Sequence, residues 1–155
     1  MSEAQRPTVV LACSPGGHLQ QMLALRSAWE DCDRVWISLR APDTDHLLAS
    51  ERVVWAYGPT NRSLGALVRN IPIVWRTLRR VDPDAVLSTG AAIALPLILF
   101  ARLTGRRAIY VESFTRTHGL SMTGRMVYPL ASLFFVQWPD AAGRRRRARY
   151  VGSVL

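Results

Sequence analysis

The stretch TVVLACSPGGHLQQ, residues 8–21, decides the fold class, because a strand pattern, a turn and the start of a helix follow one another within it. Residues 8–13 are mainly apolar and β-branched, as in a buried strand. Gly16 and Gly17 allow the chain to turn sharply, and residues 19–29 set Leu, Met and Trp side chains near one helical face. The stretch therefore predicts a strand, a tight turn and a helix, the unit from which parallel sheets are built.

Similar apolar runs recur along the chain. They are RVWISL (34–39), RVVWAY (52–57), DAVLST (84–89), RAIYVE (107–112) and LFFVQW (133–138), in addition to PTVVLAC (7–13). Most are separated by segments long enough for a helix, which is typical of a parallel sheet with helical crossovers. At 155 residues the chain has the size of one domain. We expect a single α/β domain spanning residues 1–155, built on a doubly wound parallel sheet.

The composition excludes several kinds of site. All 20 basic residues are Arg, which rules out a Schiff-base lysine and a Walker A loop, and no GxGxxG fingerprint is present. No His/Cys/Asp cluster has metal-ligand spacing, so no metal site is expected. The formal net charge is +9, with most of the excess after residue 78. This charge favours an anionic surface or a partner, whereas nucleic acid is not expected because no interleaved aromatic residues accompany the arginines.

The sequence also carries expectations about compartment. The first apolar run is too short for a signal peptide, and the two cysteines, Cys13 and Cys32, are expected to be reduced thiols in the cytosol. The longest apolar stretch, residues 91–101, is about half of a bilayer span. We therefore expect a soluble or surface-bound protein in which residues 91–101 form a buried crossover helix.

Three polar turns follow strands one, four and five, at the edge where parallel sheets bind ligands. They are SPGGH (14–18), STG (88–90) and ESFTRTHG (112–119). Glycines before a helix let the backbone approach an anion such as a diphosphate, and the alternative is that they only make a tight turn. His18 is either a general base or a hydrogen bonder at the helix start. Glu112 either binds sugar hydroxyls or forms a structural pair with Arg116 or Ser113.

Two basic segments leave their roles open. Ser63 is expected to cap a helix running to about Arg80, kinked or broken at Pro72. The apolar residues Leu64, Leu67, Val68, Ile71, Trp75 and Leu78 share one side of it, and Arg69, Arg76 and Arg80 share the other. Such a helix either packs on the core with a solvated basic face or lies on an anionic membrane. The Arg run at 144–147 precedes a strand-like end at 150–155, which suits a headgroup or a partner.

The segment YVESFTRTHGLSMTGRMVYPLASLFFVQWP, residues 110–139, together with SPGGHLQQ and the STG turn, resembles a known family. It is the family that contains the membrane-anchoring subunit of the eukaryotic dolichol-linked N-acetylglucosaminyltransferase. Bacterial relatives from exopolysaccharide and capsule biosynthesis are similar. The resemblance covers nearly the whole chain, and the blocks E-S-F-x-R, L-S-x-T-G and FVQWP are specific, whereas GGH is shared with the peptidoglycan lipid-linked glycosyltransferase.

The resemblance implies a Rossmann-like domain equivalent to the N-terminal, acceptor-side half of an inverting GT-B glycosyltransferase. A separate polypeptide would supply the C-terminal half and bind the nucleotide sugar, expected to be a UDP-sugar, with no further cofactor. The acceptor would be a polyprenyl-diphosphate-linked saccharide, and the chain would lie peripherally on the inner face of the plasma membrane. The residues implied as catalytic are His18 and Glu112, and those implied for acceptor or phosphate binding are Ser14, Gly16, Gly17, Thr89, Gly90, Ser113 and Arg116.

The family's eukaryotic subunit has an N-terminal membrane anchor that these 155 residues lack. Membrane association is therefore expected to rest on the amphipathic helix, the arginines or the partner. The strand-like end at 150–155 is expected to be an assembly surface. The alternative function is a non-catalytic subunit that anchors and activates a partner glycosyltransferase.

Overall fold

A parallel sheet organises the chain, as the recurring apolar runs predict. The computed structural model describes residues 6–59 and 63–154. Within them the strands are β1 (Thr8–Ala12), β2 (Asp33–Leu39), β3 (Val53–Ala56), β4 (Ala85–Ser88), β5 (Arg107–Val111), β6 (Leu133–Val136) and β7 (Ala148–Tyr150). Their order is β3-β2-β1-β4-β5-β6-β7, and every neighbouring pair is parallel. The doubly wound α/β fold is confirmed, with order reversing between β1 and β4.

The helices cover both faces of this sheet. They are α1 (Gly17–Ala24), α2 (Pro42–Leu47), α3 (Leu64–Val81), α4 (Ala94–Leu103), α5 (Met122–Val127) and α6 (Pro139–Ala142). Side chains of α3, α4 and α5 form one buried cluster that includes Val74, Ile98 and Val127. Leu19 of α1 belongs to a second cluster, which contains Trp36 of β2. The two clusters make the sheet the central layer of the domain.

Two predicted elements have different ends. The helix expected over residues 19–29 stops at Ala24 and continues as a 3₁₀ turn, Arg26–Ala28. There the Trp29 indole donates to the Met22 carbonyl at 3.1 Å, so a side chain rather than the backbone of a longer helix bonds to this carbonyl near the helix end. The prediction of a strand-like end at 150–155 is also wrong, because β7 ends at Tyr150. Leu155 lies outside the described residues.

Helix α3 matches its predicted bounds, but its buried face differs from the expected one. The Ser63 hydroxyl accepts from the Ala66 amide at 3.2 Å, as an N-cap does, and the helix continues through Pro72 without a break. Its buried residues are Ala66, Asn70, Val74, Thr77 and Leu78. Of the six apolar residues that share one side in the sequence pattern, only Leu78 is buried, so core packing of that side, one of the two alternatives, is not what the structure shows.

The inner face of α3 contains polar side chains whose hydrogen bonds are satisfied. The Asn70 amide accepts from the Tyr57 N–H at 2.8 Å and donates to the Tyr57 carbonyl at 2.9 Å. The Thr77 hydroxyl donates to the Ile73 carbonyl of its own helix. These bonds let polar residues occupy the core side at little cost. Leu64, Val68, Ile71 and Trp75, on the apolar side of the sequence pattern, are therefore exposed.

Helix α4 is the buried crossover predicted for residues 91–101, with Leu97, Ile98 and Ala101 fully enclosed. Across residues 6–59 and 63–154, no helix combines the length and the hydrophobicity that crossing a bilayer requires.

Candidate functional site

Hydrogen bonds connect helix α1, which follows the turn after β1, to the turn after β5 at the carboxyl edge of the sheet. Gln21 of α1 is fully buried. Its side-chain amide donates to the Glu112 carbonyl at 2.9 Å and accepts from the Phe114 N–H at 3.2 Å. The Trp138 indole donates to the Phe114 carbonyl at 2.6 Å from the end of β6. The bend that begins at Glu112 is therefore fixed from two sides.

The first and fourth turns meet through His18 and Thr89. The Thr89 hydroxyl donates to the His18 carbonyl at 2.7 Å, and His18 Nδ1 lies 2.7 Å from the Thr89 carbonyl oxygen. Because a carbonyl oxygen only accepts, Nδ1 must carry the proton. Nε2 has no hydrogen-bond partner among the described residues and is not sealed from solvent. The tautomer thus leaves the Nε2 lone pair free.

Burial lowers the pKa of His18 below its ordinary value, and the Thr89 hydrogen bond and the charge of Glu112 oppose this shift. The imidazole is therefore neutral at pH 7. A neutral imidazole with a protonated Nδ1 and a free Nε2 has the protonation state of a general base.

Gly90 makes room for this histidine. A Cβ at Gly90 would overlap the His18 ring, lying 2.7 Å from Nδ1, and Gly90 has a φ of +131°. Ala91 follows with a φ of +72°. Strained backbone of this kind is found at functional sites and persists only where surrounding contacts hold it. Glycine at position 90 is required both by the backbone and by the imidazole.

The glycine turn after β1 is occupied by a carboxylate. Asp43, in the first turn of α2, accepts from the Gly16 N–H at 2.7 Å. Gly16 has a φ of +77°, and a Cβ at Gly17 would meet the Phe114 ring at 3.8 Å. The turn therefore has a structural role, and the negative charge of Asp43 disfavours a phosphate at Gly16.

Glu112 is fully buried and its oxygens are taken up by backbone and hydroxyl groups. Oε1 accepts from the Ser113 N–H at 2.9 Å, and Oε2 accepts from the Ser121 N–H at 2.9 Å and the Ser121 hydroxyl at 3.1 Å. Ser121 in turn caps α5 by accepting from the Gly124 N–H at 2.9 Å. The expected partner Ser113 is present through its backbone, whereas no Arg116 ion pair with Glu112 occurs in the described chain.

A groove of about 750 Å³ lies among the amino ends of α3, α4 and α5. One wall is apolar and includes Leu64, Leu67, Leu95, Met122 and Met126. Its polar lining includes His18, Tyr110, Ser113, Thr115, Arg116 and Ser121. Burial, reinforced by the charge of Glu112, raises the pKa of Tyr110, so its hydroxyl stays protonated. The groove thus combines an accessible imidazole, the Arg116 guanidinium and a long apolar wall.

The predicted residues divide into two groups. His18, Ser113 and Arg116 line the groove. The others, Ser14, Gly16, Gly17, Thr89, Gly90 and Glu112, lie outside its lining, and Thr89, Gly90 and Glu112 support the lining residues through the contacts described above. Sequence reasoning missed Gln21, Asp43, Tyr110 and Ser121. Only Gln21 carried a signal, as a polar residue at a core-facing helical position next to Met22.

Residues Leu64, Val68, Ile71 and Trp75 form an exposed stripe on α3, which we call the apolar stripe. Val68 is 62% exposed and Leu64 78%. Trp75 packs edge-on against Phe100 of α4, with ring centroids 5.1 Å apart. The stripe continues into the apolar wall of the groove through Leu64. An exposed apolar surface of this kind marks a contact with a membrane or a protein.

The arginine run is partly structural. The Arg147 guanidinium donates to the Pro129 and Ala131 carbonyls, and its backbone N–H donates to the Tyr128 hydroxyl at 3.1 Å. Arg144 and Arg146 are exposed. The run therefore fixes the start of β7 and leaves cationic side chains at the surface. No group of three potential metal ligands is found among residues 6–59 and 63–154.

Comparisons with known proteins agree with this architecture. The crystal structure of MurG from Acinetobacter baumannii superposes with a TM-score of 0.76 over 93% of this chain and 45% of MurG, at 18% identity. The fold is therefore that of the N-terminal half of GT-B glycosyltransferases.

Two of the sequence relatives match about half of this chain. UDP-N-acetylglucosamine transferase subunit ALG14 from Eremothecium gossypii is 40% identical over 86 residues, 52% of this chain and 38% of that protein. The human protein of the same name is 34% identical over 84 residues, covering 50% of this chain and 39% of its own length. The chain thus matches less than two fifths of each relative. Both relatives are eukaryotic and give no support to the expected bacterial exopolysaccharide affiliation.

The family match is broader. Residues 58–154, which include α3, the STG turn and the bend after β5, match the family described as "Oligosaccharide biosynthesis protein Alg14 like". This match covers more than half of the 155 residues. The chain therefore belongs to the family of Alg14-like oligosaccharide biosynthesis proteins.

Proposed function

We propose that this chain is the acceptor-side subunit of a two-component glycosyltransferase, inverting and of GT-B type. It would transfer a sugar from a nucleotide sugar to a polyprenyl-diphosphate-linked saccharide. The observation that carries the proposal is the state of His18, whose Nδ1 is held 2.7 Å from the Thr89 carbonyl while its side chain lines the groove. A base fixed in one tautomer at the edge of a large groove is suited to activate a hydroxyl.

In the proposed reaction, the acceptor hydroxyl gives its proton to His18 Nε2 while its oxygen attacks the anomeric carbon of the donor. The bond from that carbon to the nucleotide diphosphate breaks, and the diphosphate leaves with the electron pair. Attack from the face opposite the leaving group inverts the anomeric carbon. Glu112 supports this arrangement as a positioning residue, because its carboxylate is saturated by Ser113 and Ser121.

The acceptor's orientation follows from the charges around the groove. Among the described residues of the lining, Arg116 is the only permanent cation, so the acceptor diphosphate is oriented toward that end. The apolar wall then contacts the first polyprenyl units. Asp43 at Gly16 disfavours the diphosphate at the glycine turn and leaves that side for neutral sugar hydroxyls.

The donor site is proposed to lie on a separate polypeptide. This chain corresponds to 45% of MurG, so a GT-B cleft requires a second half. The relatives are named as subunits of a UDP-N-acetylglucosamine transferase, and we extend the UDP-sugar donor to this protein. No further cofactor is included in the proposal.

The apolar stripe favours a peripheral membrane position, with Arg79, whose guanidinium lies over the Trp75 ring, contacting anionic headgroups. We place the protein on the inner, cytoplasmic face of the plasma membrane. The same stripe supports the second candidate function, a non-catalytic subunit that anchors and activates a partner. Val68→Gln should reduce binding to phosphatidylglycerol vesicles several-fold without changing the unfolding temperature. Unchanged vesicle binding would remove the support that the stripe gives to both membrane roles.

The experiment that tests catalysis uses this chain reconstituted with its complementary GT-B half. Transfer from UDP-N-acetylglucosamine to a polyprenyl-diphosphate acceptor would be compared for wild type, His18→Ala and the control His46→Ala, which alters an exposed histidine on α2. Loss of a general base predicts a fall in kcat of about 10²- to 10⁴-fold. Equal kcat for both variants would contradict the catalytic role and leave the anchoring function.

A further inference from the structure

A second groove lies at the opposite edge of the sheet from His18. Its volume is about 440 Å³, within the range of small-ligand sites. Three arginines line it, Arg52 before β3 and Arg76 and Arg80 on the last turns of α3. The rest of the lining is mostly aliphatic: Val35, Val53, Val54, Ile73 and Val81, with Thr77. We call this the arginine groove.

Three acidic side chains at this end of the sheet, Glu51, Asp82 and Asp84, have partners outside the groove. Glu51, next to Arg52 in sequence, accepts from the Arg34 guanidinium at 2.8 and 2.9 Å and from the Trp36 indole at 3.1 Å. Asp82 pairs with Arg106. Asp84 accepts from the Thr8 N–H at 2.8 Å.

Within residues 6–59 and 63–154, no acidic group lies within ion-pair distance of the three groove arginines. Three arginines therefore line one groove without a counter-ion from the described chain. Arg76 and Arg80 are also four residues apart on α3, where like charges oppose each other. An anionic ligand would remove this repulsion.

The chemistry of the lining favours a phosphate. Each guanidinium presents donors in a planar fork that matches two phosphate oxygens. The aliphatic floor, with Ile73 and Val81, suits an apolar body attached to the anionic group. On α3 the groove residues Ile73, Arg76 and Arg80 point to the side away from the apolar stripe, since successive residues turn by about 100°. The groove is therefore separate from the proposed acceptor site and from the surface proposed to contact the membrane.

We propose that the arginine groove is a binding site for a phosphate-bearing ligand with an apolar body. The same chemistry belongs to a soluble organic phosphate and to a phospholipid headgroup. The experiment therefore has two arms, one with inorganic pyrophosphate in solution and one with phosphatidylglycerol vesicles compared with phosphatidylcholine vesicles.

The test variant is Arg52→Gln/Arg76→Gln/Arg80→Gln. A matched control, Arg26→Gln/Arg102→Gln/Arg107→Gln, removes the same charge from exposed arginines outside the groove and outside the 144–147 run. All six are exposed, so both variants should unfold near the wild-type temperature. Calorimetric titration with pyrophosphate and vesicle flotation would be done at fixed ionic strength.

We expect the groove variant to lose at least tenfold in affinity in one arm, and the control less than twofold. Loss in the pyrophosphate arm identifies a soluble phosphate, and loss confined to the vesicle arm identifies a headgroup. The proposal is overturned if the two variants behave alike in both arms, which would indicate a general charge effect. It is also overturned if wild type binds neither probe more tightly than about 1 mM.

Discussion

Replacing Gly90 by alanine should damage both the fold and the imidazole position. A Cβ at Gly90 would overlap the His18 ring, 2.7 Å from Nδ1, at a φ of +131°. Backbone strain of this kind costs on the order of 1–3 kcal/mol. Displacing the ring loses the Nδ1 bond to Thr89, about 0.5–1.5 kcal/mol net. We expect Gly90→Ala to lower the free energy of unfolding by roughly 2–4 kcal/mol.

Thermal unfolding followed by circular dichroism would measure this loss. For a chain of this size, the expected drop in Tm is roughly 5–15 °C. Gly105→Ala is the matched control, because Gly105 also has a positive φ, +77°, but no atom within 4 Å of its added Cβ. The control should lose only the backbone share, about 1–2 kcal/mol.

A double-mutant cycle separates the steric clash from the backbone strain. In a His18→Ala background the ring is absent, so Gly90→Ala should cost about 1 kcal/mol less than in wild type. If Gly90→Ala costs the same in both backgrounds, or no more than Gly105→Ala, the packing of His18 against Gly90 is not what requires glycine there.

Three further predictions address protonation and burial. Because the pKa of His18 is lowered in the fold, the stability that its neutral form contributes is complete above about pH 6.5 and declines as the pH falls below it. In urea unfolding from pH 8 to 5, the free energy of unfolding should therefore decline less in His18→Ala than in wild type. Parallel curves for the two proteins would contradict this. Glu112→Gln places an amide NH₂ opposite N–H groups that now donate to the carboxylate, so it should destabilise the fold by about 3 kcal/mol. The denaturant midpoint measures this loss, and an unchanged midpoint would rule out a structural role for the carboxylate. Burial raises the pKa of Cys13 to about 12, so iodoacetamide at pH 8 should modify Cys32 before Cys13, as followed by mass spectrometry. Equal labelling of the two cysteines in native protein would contradict the burial of Cys13.

The fold was predictable because its signal is local and periodic. Six of the seven strands among the described residues coincide with β-branched runs, and Ser63 marks the start of α3. The break that Pro72 offered as one alternative does not occur. The exception among the strands is β7, a three-residue strand that follows the run of arginines, has no β-branched pattern and is held in place by Arg147. No composition pattern reports a carbonyl that accepts from a guanidinium 18 residues away.

The candidate site was predictable only in outline. Parallel strands bring their carboxyl ends to one edge, so the meeting of the three turns follows from topology. The roles within it depend on contacts between distant segments: Asp43 with Gly16, Gln21 with Phe114, and Ser121 with Glu112. Only the folded chain defines these pairs.

The outward face of α3 has a similar explanation. A helix is usually assigned its core side from its apolar residues. Here Asn70 and Thr77 are buried because each has a hydrogen-bond partner, Asn70 with the Tyr57 backbone and Thr77 with the Ile73 carbonyl. The residues left outside, such as Val68, are then available for a surface contact.

The most direct measurement of the central claim is sugar transfer by the separated halves. This chain alone, its complementary GT-B half alone and the mixture would each be given radiolabelled UDP-N-acetylglucosamine and a polyprenyl-diphosphate-linked acceptor. Transfer in the mixture only, abolished by His18→Ala, is the result predicted for an acceptor-binding catalytic subunit. Full transfer by the complementary half alone would contradict it.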